Sequence, residues 1–264
     1  MTRTIDTYLY QGTYFMIDAT RPMFDAQKSV FPTKTVGTIV TIDARNTDMK
    51  SLYVMNSANN TWTDKSAVSA HYNAVTTYEY FRTTFNRNSI DNKGMAIQSV
   101  VHVTSNNQPM NNAFWNGQFM AYGDGKTWKP LAGGLDIGAH EMTHGVTGFT
   151  AGLEYVFQSG ALNESISDIF GAMVDRDDWQ MGEGIVPVSS FPSGALRDMA
   201  DPHNGVTDKN HPAWQPSHMN EFMKLDINYD NGGVHINSGI PNHCAYLLAQ
   251  AIGRDKTERI VYCA

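Results

Sequence analysis

The feature that most constrains this chain is a pair of histidines four residues apart, with a glutamate directly after the first. His140, Glu141 and His144 form an HExxH motif. An α-helix places residues four apart on one face, so both imidazoles can reach one metal ion, with Glu141 close enough to hold a water molecule beside it. The spacing therefore predicts a helix that carries a zinc site. Two solvated histidines on a helix surface are the alternative.

The next predicted helix carries the candidates for a third ligand. A third histidine six residues after the motif would complete one known ligand pattern, but that residue is Thr150. Glu164 and Asp168 lie four residues apart on a helix predicted from about residue 159 to 175. Its predicted apolar face consists of Leu162, Ile166, Ile169 and Met173. Carboxylates beside an apolar face are costly unless they are paired or bind a metal. Three protein ligands and an open position are typical of a catalytic zinc, whereas four are typical of a structural one.

The composition changes along the chain and predicts two lobes. Segments rich in β-branched and aromatic residues, separated by Gly, Pro and Asn, dominate residues 1–134, with one predicted helix over about residues 66–85. Helical periodicity dominates residues 135–264, apart from a loop-rich stretch at 182–233. We expect the boundary near Gly133 and Gly134.

Charge and cysteine content exclude several classes of protein. The net charge of -7, with only 17% charged residues, argues against a nucleic-acid partner, which needs a basic surface. No apolar run reaches the length of about 18 residues that a membrane span needs. Cys244 and Cys263 are the only cysteines and form no CxxC motif, which excludes a thiolate zinc ribbon. One disulfide and two free thiols both remain open.

Three separated blocks of sequence resemble the thermolysin-like neutral zinc metalloendopeptidases. They are residues 138–171 (GAHEMTHGVTGFTAGLEYVFQSGALNESISDIFG), residues 111–117 with 122–125 (NNAFWNG and YGDG), and residues 230–239 (DNGGVHINSG). The resemblance extends over residues 7–262. It implies an α+β, two-lobe zincin fold with a β-rich N-terminal lobe, a mainly helical C-terminal lobe and the active-site helix between them. It also implies a zinc-dependent endopeptidase that acts on peptides or proteins.

The resemblance assigns roles to individual residues. It implies one zinc ion held by His140, His144 and Glu164, with Asp168 as the acceptor behind a ligand histidine. Glu141 would activate the zinc-bound water and then protonate the leaving amine, as a general base and acid. The oxyanion would be stabilised by zinc, Tyr155 and His235, and Asp230 would orient the imidazole of His235.

The resemblance also implies how substrate is held. Asn112, Ala113 and Arg197 correspond to groups that bind the substrate backbone, and the peptide would add a strand at the edge near Asn112 and Ala113. The pocket for the residue just after the scissile bond would be lined by Leu131, Ile137, Val146 and Leu196. We expect this pocket to favour an apolar residue without requiring one, because a methylene group contributes only about 1–3 kcal/mol.

Acidic residues near the motif resemble the family's calcium ligands. They are Asp136, Asp175, Asp178 and Glu183, and carboxylate oxygens are the ligands that Ca²⁺ prefers. The segment after Asp175 is shorter than in the family, and Gln180 stands where a carboxylate is usual. We therefore expect one structural calcium ion instead of two.

The remaining expectations concern the state of the protein. The resemblance implies a monomer that is secreted as a precursor, although the first residues do not form a signal peptide. The sequence ends within a helical pattern, so we expect either a compact variant or a fragment of a longer chain. A catalytically impaired fragment or relative that binds peptide and zinc is the alternative function. An aminopeptidase is the nearest enzymatic alternative, but no motif for binding the substrate amine is present.

Overall fold

The computed structural model describes residues 2–204, 206, 208–211 and 214–264. The chain forms two compact units, which meet in sequence between Phe149 and Thr150. The N-terminal unit is mixed α and β, and the C-terminal unit is mainly helical. The predicted α+β fold class, with its β-rich first part and helical second part, is confirmed.

The N-terminal unit is built on strands with two long helices. Its strands are β1 (Tyr8–Tyr10), β2 (Thr13–Phe15), β3 (Ile17–Asp18), β4 (Ile39–Thr47), β5 (Tyr53–Val54), β6 (Asn56–Ser57), β7 (Ile97–Ser105), β8 (Gln108–Pro109), β9 (Ala113–Trp115) and β10 (Met120–Gly123). Its helices are α1 (Lys65–Phe85), a 3₁₀ turn (Leu131–Gly133) and α2 (Leu135–Gly148).

The main sheet of this unit has seven strands and is mostly buried. Five of them follow the order β3-β4-β7-β10-β9, with β5 paired to β4 and β8 paired to β7. The β4, β7 and β10 strands run parallel, whereas β9 is antiparallel to β10 and forms an edge. Val40, Ile42, Val100 and Val103 belong to the core of this sheet. The nearly continuous burial of β4, β7 and β10 is typical of parallel strands, and the β-branched residues of β4 and β7 pack well on a pleated surface.

Helix α1 and strand β7 are joined by a histidine between two carboxylates. Asp64 caps α1 by accepting a hydrogen bond from the backbone N–H of Ala67 at 2.9 Å. The imidazole of His102 contacts Asp124 at 2.6 Å and Asp64 at 2.7 Å. His102 has a left-handed φ of 58° at the point where the pairing register of β7 shifts, which is typical of a β-bulge that redirects a side chain. These contacts tie the start of α1 to the sheet.

The C-terminal unit is a cluster of helices with long connections. Its elements are α3 (Phe157–Asp175), β11 (Gln180–Met181), β12 (Arg197–Asp198), a 3₁₀ turn (Met219–Glu221), α4 (Asp230–Asn237), α5 (Gly239–Ile252) and α6 (Arg254–Cys263). Helix α3 contacts α4, α5 and α6, so it forms the centre of the unit. Cys244 and Cys263 are exposed free thiols.

The buried face of α3 differs from the predicted apolar stripe. Leu162, assigned to that stripe, is 47% exposed, whereas Glu164 and Asp168 are 1% and 0% exposed. The stripe was therefore wrong at Leu162. Small buried residues such as Ala161 and Ala172 let neighbouring elements approach α3 closely. Those elements supply polar partners for the buried carboxylates.

The two compact units divide later in the chain than the boundary expected near Gly134. The reason is that α2 packs against α1, β9 and the 3₁₀ turn before it, and so belongs to the N-terminal unit. The amino-acid composition changes where helical periodicity begins, at the start of α2. The boundary between the two units lies later, because α2 still packs against elements of the N-terminal unit.

Within the described part of the chain, no helix is long and apolar enough to span a membrane.

We predict that His102 stabilises the fold in a pH-dependent way. Hydrogen bonds to Asp124 and Asp64 raise the pKa of His102 to about 10, whereas an unfolded histidine titrates near about 6.5. The stabilisation is therefore complete below about pH 6.5 and is lost as the pH rises through about 10. Urea unfolding of wild type and His102→Asn should show a difference in unfolding free energy that is largest at pH 6 and shrinks by pH 10.

Asparagine is a suitable replacement because it tolerates the left-handed backbone and carries no charge. The exposed His218 provides the control as His218→Asn, which should unfold like wild type at each pH. A difference between wild type and His102→Asn that does not change with pH would contradict the prediction.

Candidate active site

The HExxH motif lies on helix α2, as its spacing requires. The Nε2 atoms of His140 and His144 face each other at 3.0 Å. A carboxylate oxygen of Glu141 and one ring nitrogen from each histidine all lie within 4.8 Å of one another. His140 and Glu141 are buried, and His144 is half-buried. The helix therefore brings two imidazoles and one carboxylate to a single point.

These three side chains fit a zinc ion. Two nitrogens bound to one zinc at about 2.0–2.1 Å each can lie at most about 4.2 Å apart, and the observed 3.0 Å lies within that limit. The buried Oε2 of Glu141 has no hydrogen-bond partner among the described residues, which leaves it able to accept one from a water molecule. Imidazole nitrogens are also the ligand type that zinc prefers in proteins.

The start of α2 is fixed by a side chain of α1. Asn73 donates hydrogen bonds to the carbonyl oxygens of Ala132 and Gly134 at 3.0 and 2.8 Å. Near the other end, a Cβ atom on Gly145 would lie 2.7 Å from Ile90 Cγ2, so only glycine allows this close approach. The orientation of the histidine-bearing face is thus set by packing within the N-terminal unit.

A second polar cluster lies within the C-terminal unit, around Glu164 of α3. The hydroxyl of Tyr155 donates a hydrogen bond to Oε1 of Glu164 and lies 3.1 Å from Nε2 of His235. The same imidazole nitrogen lies 3.4 Å from Glu164 Oε1. The predicted zinc ligand Glu164 therefore lies beside the two predicted oxyanion donors, Tyr155 and His235.

The imidazole of His235 is held by Asp230. Asp230 Oδ1 contacts His235 Nδ1 at 2.5 Å, and Oδ2 accepts the backbone N–H of His235 at 2.8 Å. The carboxylate can turn back in this way because the residues from Asp230 to Gly233 all have left-handed φ values between 48° and 86°. Two glycines in that turn make such a backbone accessible.

The carboxylates around His235 favour its charged form. Loss of hydration lowers the pKa of His235, but the negative charges of Glu164 and Asp230 outweigh that effect and raise it. A protonated imidazole donates from both nitrogens. With Nδ1 directed at Asp230, His235 can present an Nε2–H donor beside the hydroxyl of Tyr155.

Asp168 is the centre of a buried ion pair. Arg197 binds it through two hydrogen bonds, at 2.8 Å from Nε and 2.6 Å from Nη2. Asn242 of α5 donates a further hydrogen bond to Asp168 at 2.8 Å. Burial lowers the pKa of Arg197, but the charge of Asp168 outweighs it and raises the pKa, so the guanidinium remains charged. Asn242 was not predicted, because nothing in the sequence distinguishes it from the other polar residues of α5, His243 and Gln250.

The residues predicted to bind substrate occupy different environments. Ala113 begins the edge strand β9, and the carbonyl oxygen of Asn112 accepts the backbone N–H of Gly123 at 3.0 Å. Leu131 and Ile137 are 3% and 7% exposed. In the C-terminal unit, Leu196 is half-buried and precedes Arg197. Among the residues that the structure describes, β9 has a partner strand on one side only, where it pairs with β10.

Of the four acidic residues predicted to bind calcium, one lies in the N-terminal unit and three lie in the C-terminal unit. Asp136 is buried in the first turn of α2. In the C-terminal unit, carboxylate oxygens of Asp175 and Glu183 lie within 4.8 Å of each other. Asp178 accepts the backbone N–H of Gln180 at 2.7 Å. The predicted role of these residues as ligands stays a prediction.

Two family profiles match the chain in sequence order. The one described as "Thermolysin metallopeptidase, catalytic domain" matches residues 1–148, and the one described as "Thermolysin metallopeptidase, alpha-helical domain" matches residues 151–264. The two matches meet at nearly the same place as the two compact units. They confirm the resemblance on which the predicted residue roles depend.

Individual relatives agree with these profiles. The chain is 44% identical to a bacillolysin from Brevibacillus brevis, covering 100% of this chain and 47% of the relative. It is 43% identical to an extracellular elastase from Staphylococcus epidermidis, covering 85% of this chain and 44% of the relative. The solved structure of a protealysin precursor, a metalloproteinase from Serratia proteamaculans, matches with a TM-score of 0.74 and 34% identity over 89% of this chain and 76% of that one. The chain spans about half the length of the curated relatives it matches.

We predict that breaking the Asp168 ion pair destabilises the protein strongly. In Asp168→Asn the buried guanidinium of Arg197 would lose its counter-charge, and such losses cost about 3–5 kcal/mol. Urea unfolding measures the change. The matched control is Asp255→Asn, which breaks the surface pair with Arg176 at a side chain that is 81% exposed. That change should cost at most about 1 kcal/mol. Equal effects of the two substitutions would show that burial does not strengthen the dependence on Asp168.

Proposed function

The chain belongs to the thermolysin metallopeptidase family, and we propose that it is a zinc-dependent endopeptidase that hydrolyses internal bonds of peptides and proteins. The observation that carries the proposal is the HExxH geometry, in which the Nε2 atoms of His140 and His144 face each other at 3.0 Å beside the carboxylate of Glu141. An active peptidase of this family needs these three side chains at one point, and a relative that had lost catalysis would have no use for a glutamate with a free oxygen there.

His140, His144 and Glu164 would hold the zinc ion. Held by these residues, a zinc ion would supply Lewis acidity, which would make water easier to deprotonate and would polarise the substrate carbonyl. Asp168 would support the site as a hydrogen-bond acceptor for a ligand histidine, and its own position is fixed by Arg197. Three protein ligands leave a coordination position open, which favours a catalytic over a structural role.

Glu141 would carry the proton during hydrolysis. Its carboxylate accepts a proton from the water that attacks the scissile carbonyl, and then delivers it to the nitrogen of the leaving amine. The buried and unpartnered Oε2 suits this role, because no protein donor among the described residues competes with water for that atom. A carboxylate held on a helix also keeps a fixed direction toward the reacting atoms.

Tyr155 and His235 would stabilise the developing negative charge on the carbonyl oxygen. Their donor atoms lie 3.1 Å apart, so both can reach one oxygen atom. Asp230 acts as a positioning residue, because it fixes the imidazole through Nδ1 and thereby directs Nε2 toward the substrate.

The remaining predicted residues would select and hold the substrate. Asn112, Ala113 and Arg197 would bind the peptide backbone, with the edge of β9 available for an added strand. The apolar residues Leu131, Ile137, Val146 and Leu196 would form the pocket for the side chain that follows the scissile bond. We expect a preference for Leu, Ile, Val or Phe at that position.

Calcium and an extracellular location complete the proposal. Asp136, Asp175, Asp178 and Glu183 would bind one structural calcium ion, for which the close approach of two carboxylates in the C-terminal unit provides support. Secretion as a precursor is supported by relatives of which one is an extracellular elastase. We expect the enzyme to act as a monomer, with no nucleic-acid or membrane partner.

We predict that Glu141→Gln abolishes cleavage while zinc remains bound. Removing a general base lowers the rate by about 10²–10⁴-fold. A quenched peptide with Leu or Phe after the scissile bond measures the activity, and metal analysis measures the zinc content. A chelator should inactivate wild type, and zinc should restore it.

The control for this experiment is Glu154→Gln, which changes an exposed glutamate in the same way. It should retain wild-type activity. If folded, zinc-loaded wild type fails to cleave any such peptide, the proposal is wrong and a peptide-binding relative becomes the better interpretation.

We predict that Tyr155→Phe and Asp230→Asn lower kcat with little change in KM. Losing one oxyanion donor costs about 10²–10³-fold in kcat, and Asp230→Asn weakens the donor role of His235 by replacing the carboxylate that contacts Nδ1 and fixes the imidazole. Steady-state kinetics over a range of peptide concentrations separates the two constants. Tyr229→Phe, at an exposed tyrosine next to Asp230, should leave both unchanged. A rise in KM without a fall in kcat would instead indicate that these residues bind the ground state.

A further inference from the structure

The carbonyl oxygen of His235 is bound by two side chains from other segments of the C-terminal unit. Nε2 of Gln215 donates a hydrogen bond to it at 2.6 Å, and Oγ of Ser238 donates a second one at 3.0 Å. The same Nε2 also donates to Oγ of Ser238 at 3.1 Å. Asp230 accepts the backbone N–H of His235 at 2.8 Å. Side chains therefore hold both polar backbone groups of His235.

Helix α4 is too short and irregular to fix His235 by itself. It spans 8 residues, and Asn231, Gly232 and Gly233 within it have left-handed backbone angles. An α-helix fixes its residues through hydrogen bonds to positions four residues away, and such bonds need consecutive helical residues. The direction of the His235 side chain therefore depends on groups that reach α4 from outside the helix.

Packing holds Gln215 itself in one place, although its segment has no regular secondary structure. Its side chain is buried, with 3% of the residue exposed. A Cβ atom on Gly239, the first residue of α5, would lie 2.6 Å from Gln215 Cβ. The neighbouring Trp214 is also buried, and its ring stacks on that of His203 with 5.1 Å between centroids. The amide of Gln215 is thus directed at α4 by its surroundings.

The position of the His235 backbone matters because the imidazole has a partner on each side. Its Nδ1 contacts Asp230 at 2.5 Å, and its Nε2 lies 3.1 Å from the hydroxyl of Tyr155. Groups of an active site need to be held within about 0.5 Å of the productive geometry. Any displacement of the backbone moves Nε2 as well, and a hydrogen bond to the carbonyl oxygen of the same residue opposes that displacement.

We infer that Gln215 is a positioning residue for the oxyanion donor His235. The inference rests on the proposed peptidase function, in which His235 donates to the carbonyl oxygen of the substrate. Gln215 holds the backbone of His235 from its carbonyl side, as Asp230 does from its N–H side. Gln215 was not predicted from the sequence, because it lies 20 residues before His235 in a stretch without periodicity.

Kinetics of Gln215→Met tests the inference. Methionine keeps a similar length and volume but has no N–H donor. We expect kcat for a quenched peptide to fall by about 10–100-fold, because small misplacements of reacting groups have effects of this size, with little change in KM. The matched control is Gln250→Met, at an exposed glutamine of α5, which should keep both constants. Urea unfolding shows whether each variant is folded.

A double-mutant cycle with His235→Ala separates positioning from general packing. In the His235→Ala background, Gln215→Met should lower kcat by less than about twofold more, since the donor that it positions is gone. Full additivity of the two changes would overturn the inference, and so would an unchanged kcat or a rise in KM alone in folded Gln215→Met. If Gln215→Met does not fold, Ser238→Ala removes the other donor to the same carbonyl oxygen and should follow the same pattern.

A measurement without turnover separates failure of this inference from failure of the proposed function. NMR of zinc-loaded protein with ¹⁵N-labelled histidine follows the exchange of the His235 Nδ1 proton with water, and His235→Ala identifies its signal. In Gln215→Met this exchange should be at least about threefold faster, because the contact with Asp230 opens more often. The corresponding proton of His102 should exchange as in wild type.

The two kinds of failure then give different results. If wild type cleaves no peptide, the proposed function has failed, and the exchange rates still decide whether Gln215 positions His235. Faster exchange at His235 alone supports the positioning role. Equal exchange in wild type and Gln215→Met overturns it, and so does an equal acceleration at His102, because the variant would then have loosened the whole protein.

Discussion

The packing of the C-terminal unit is governed by two buried carboxylates, because a buried charge needs partners. Helix α3 carries Glu164 and Asp168 at positions that are almost fully inaccessible to water. An unpaired buried charge costs several kcal/mol, so each carboxylate requires partners that reach it from other elements. Arg197 and Asn242 reach Asp168, and Tyr155 reaches Glu164. Strand β12, helix α5 and the segment just before α3 are therefore held in place by the same two acidic side chains.

A histidine beside a carboxylate occurs in both units of this protein. In the N-terminal unit, His102 between Asp64 and Asp124 joins α1 to the sheet and stabilises the fold. In the C-terminal unit, His235 contacts Asp230 through Nδ1 in the same way, but its Nε2 lies 3.1 Å from the hydroxyl of Tyr155 and 3.4 Å from Oε1 of Glu164. His102 is thus saturated by two acceptors. The Nε2 of His235 has no carboxylate as close as the two that contact His102.

Local periodicity allowed much of the site to be predicted. The HExxH helix and the helix with Glu164 and Asp168 follow from spacings of four residues, and the structure has both helices. The predicted stripe on α3 failed at Leu162, because hydrophobicity alone does not reveal that charged side chains with good partners can occupy the buried face. Asn242 was not predicted for a related reason, since α5 also carries His243 and Gln250 and no local pattern singles out one of its polar residues.

The sequence by itself determined which side chains share a helix face, because the period of the α-helix is a local property of the backbone. That was sufficient to place His140 and His144 at a common point. Only the tertiary structure decided that Tyr155 lies beside His235, 80 residues away, and that Arg197 binds Asp168. Such contacts depend on how whole elements pack. Packing in turn depends on the summed burial of many side chains, so no single spacing in the sequence encodes it.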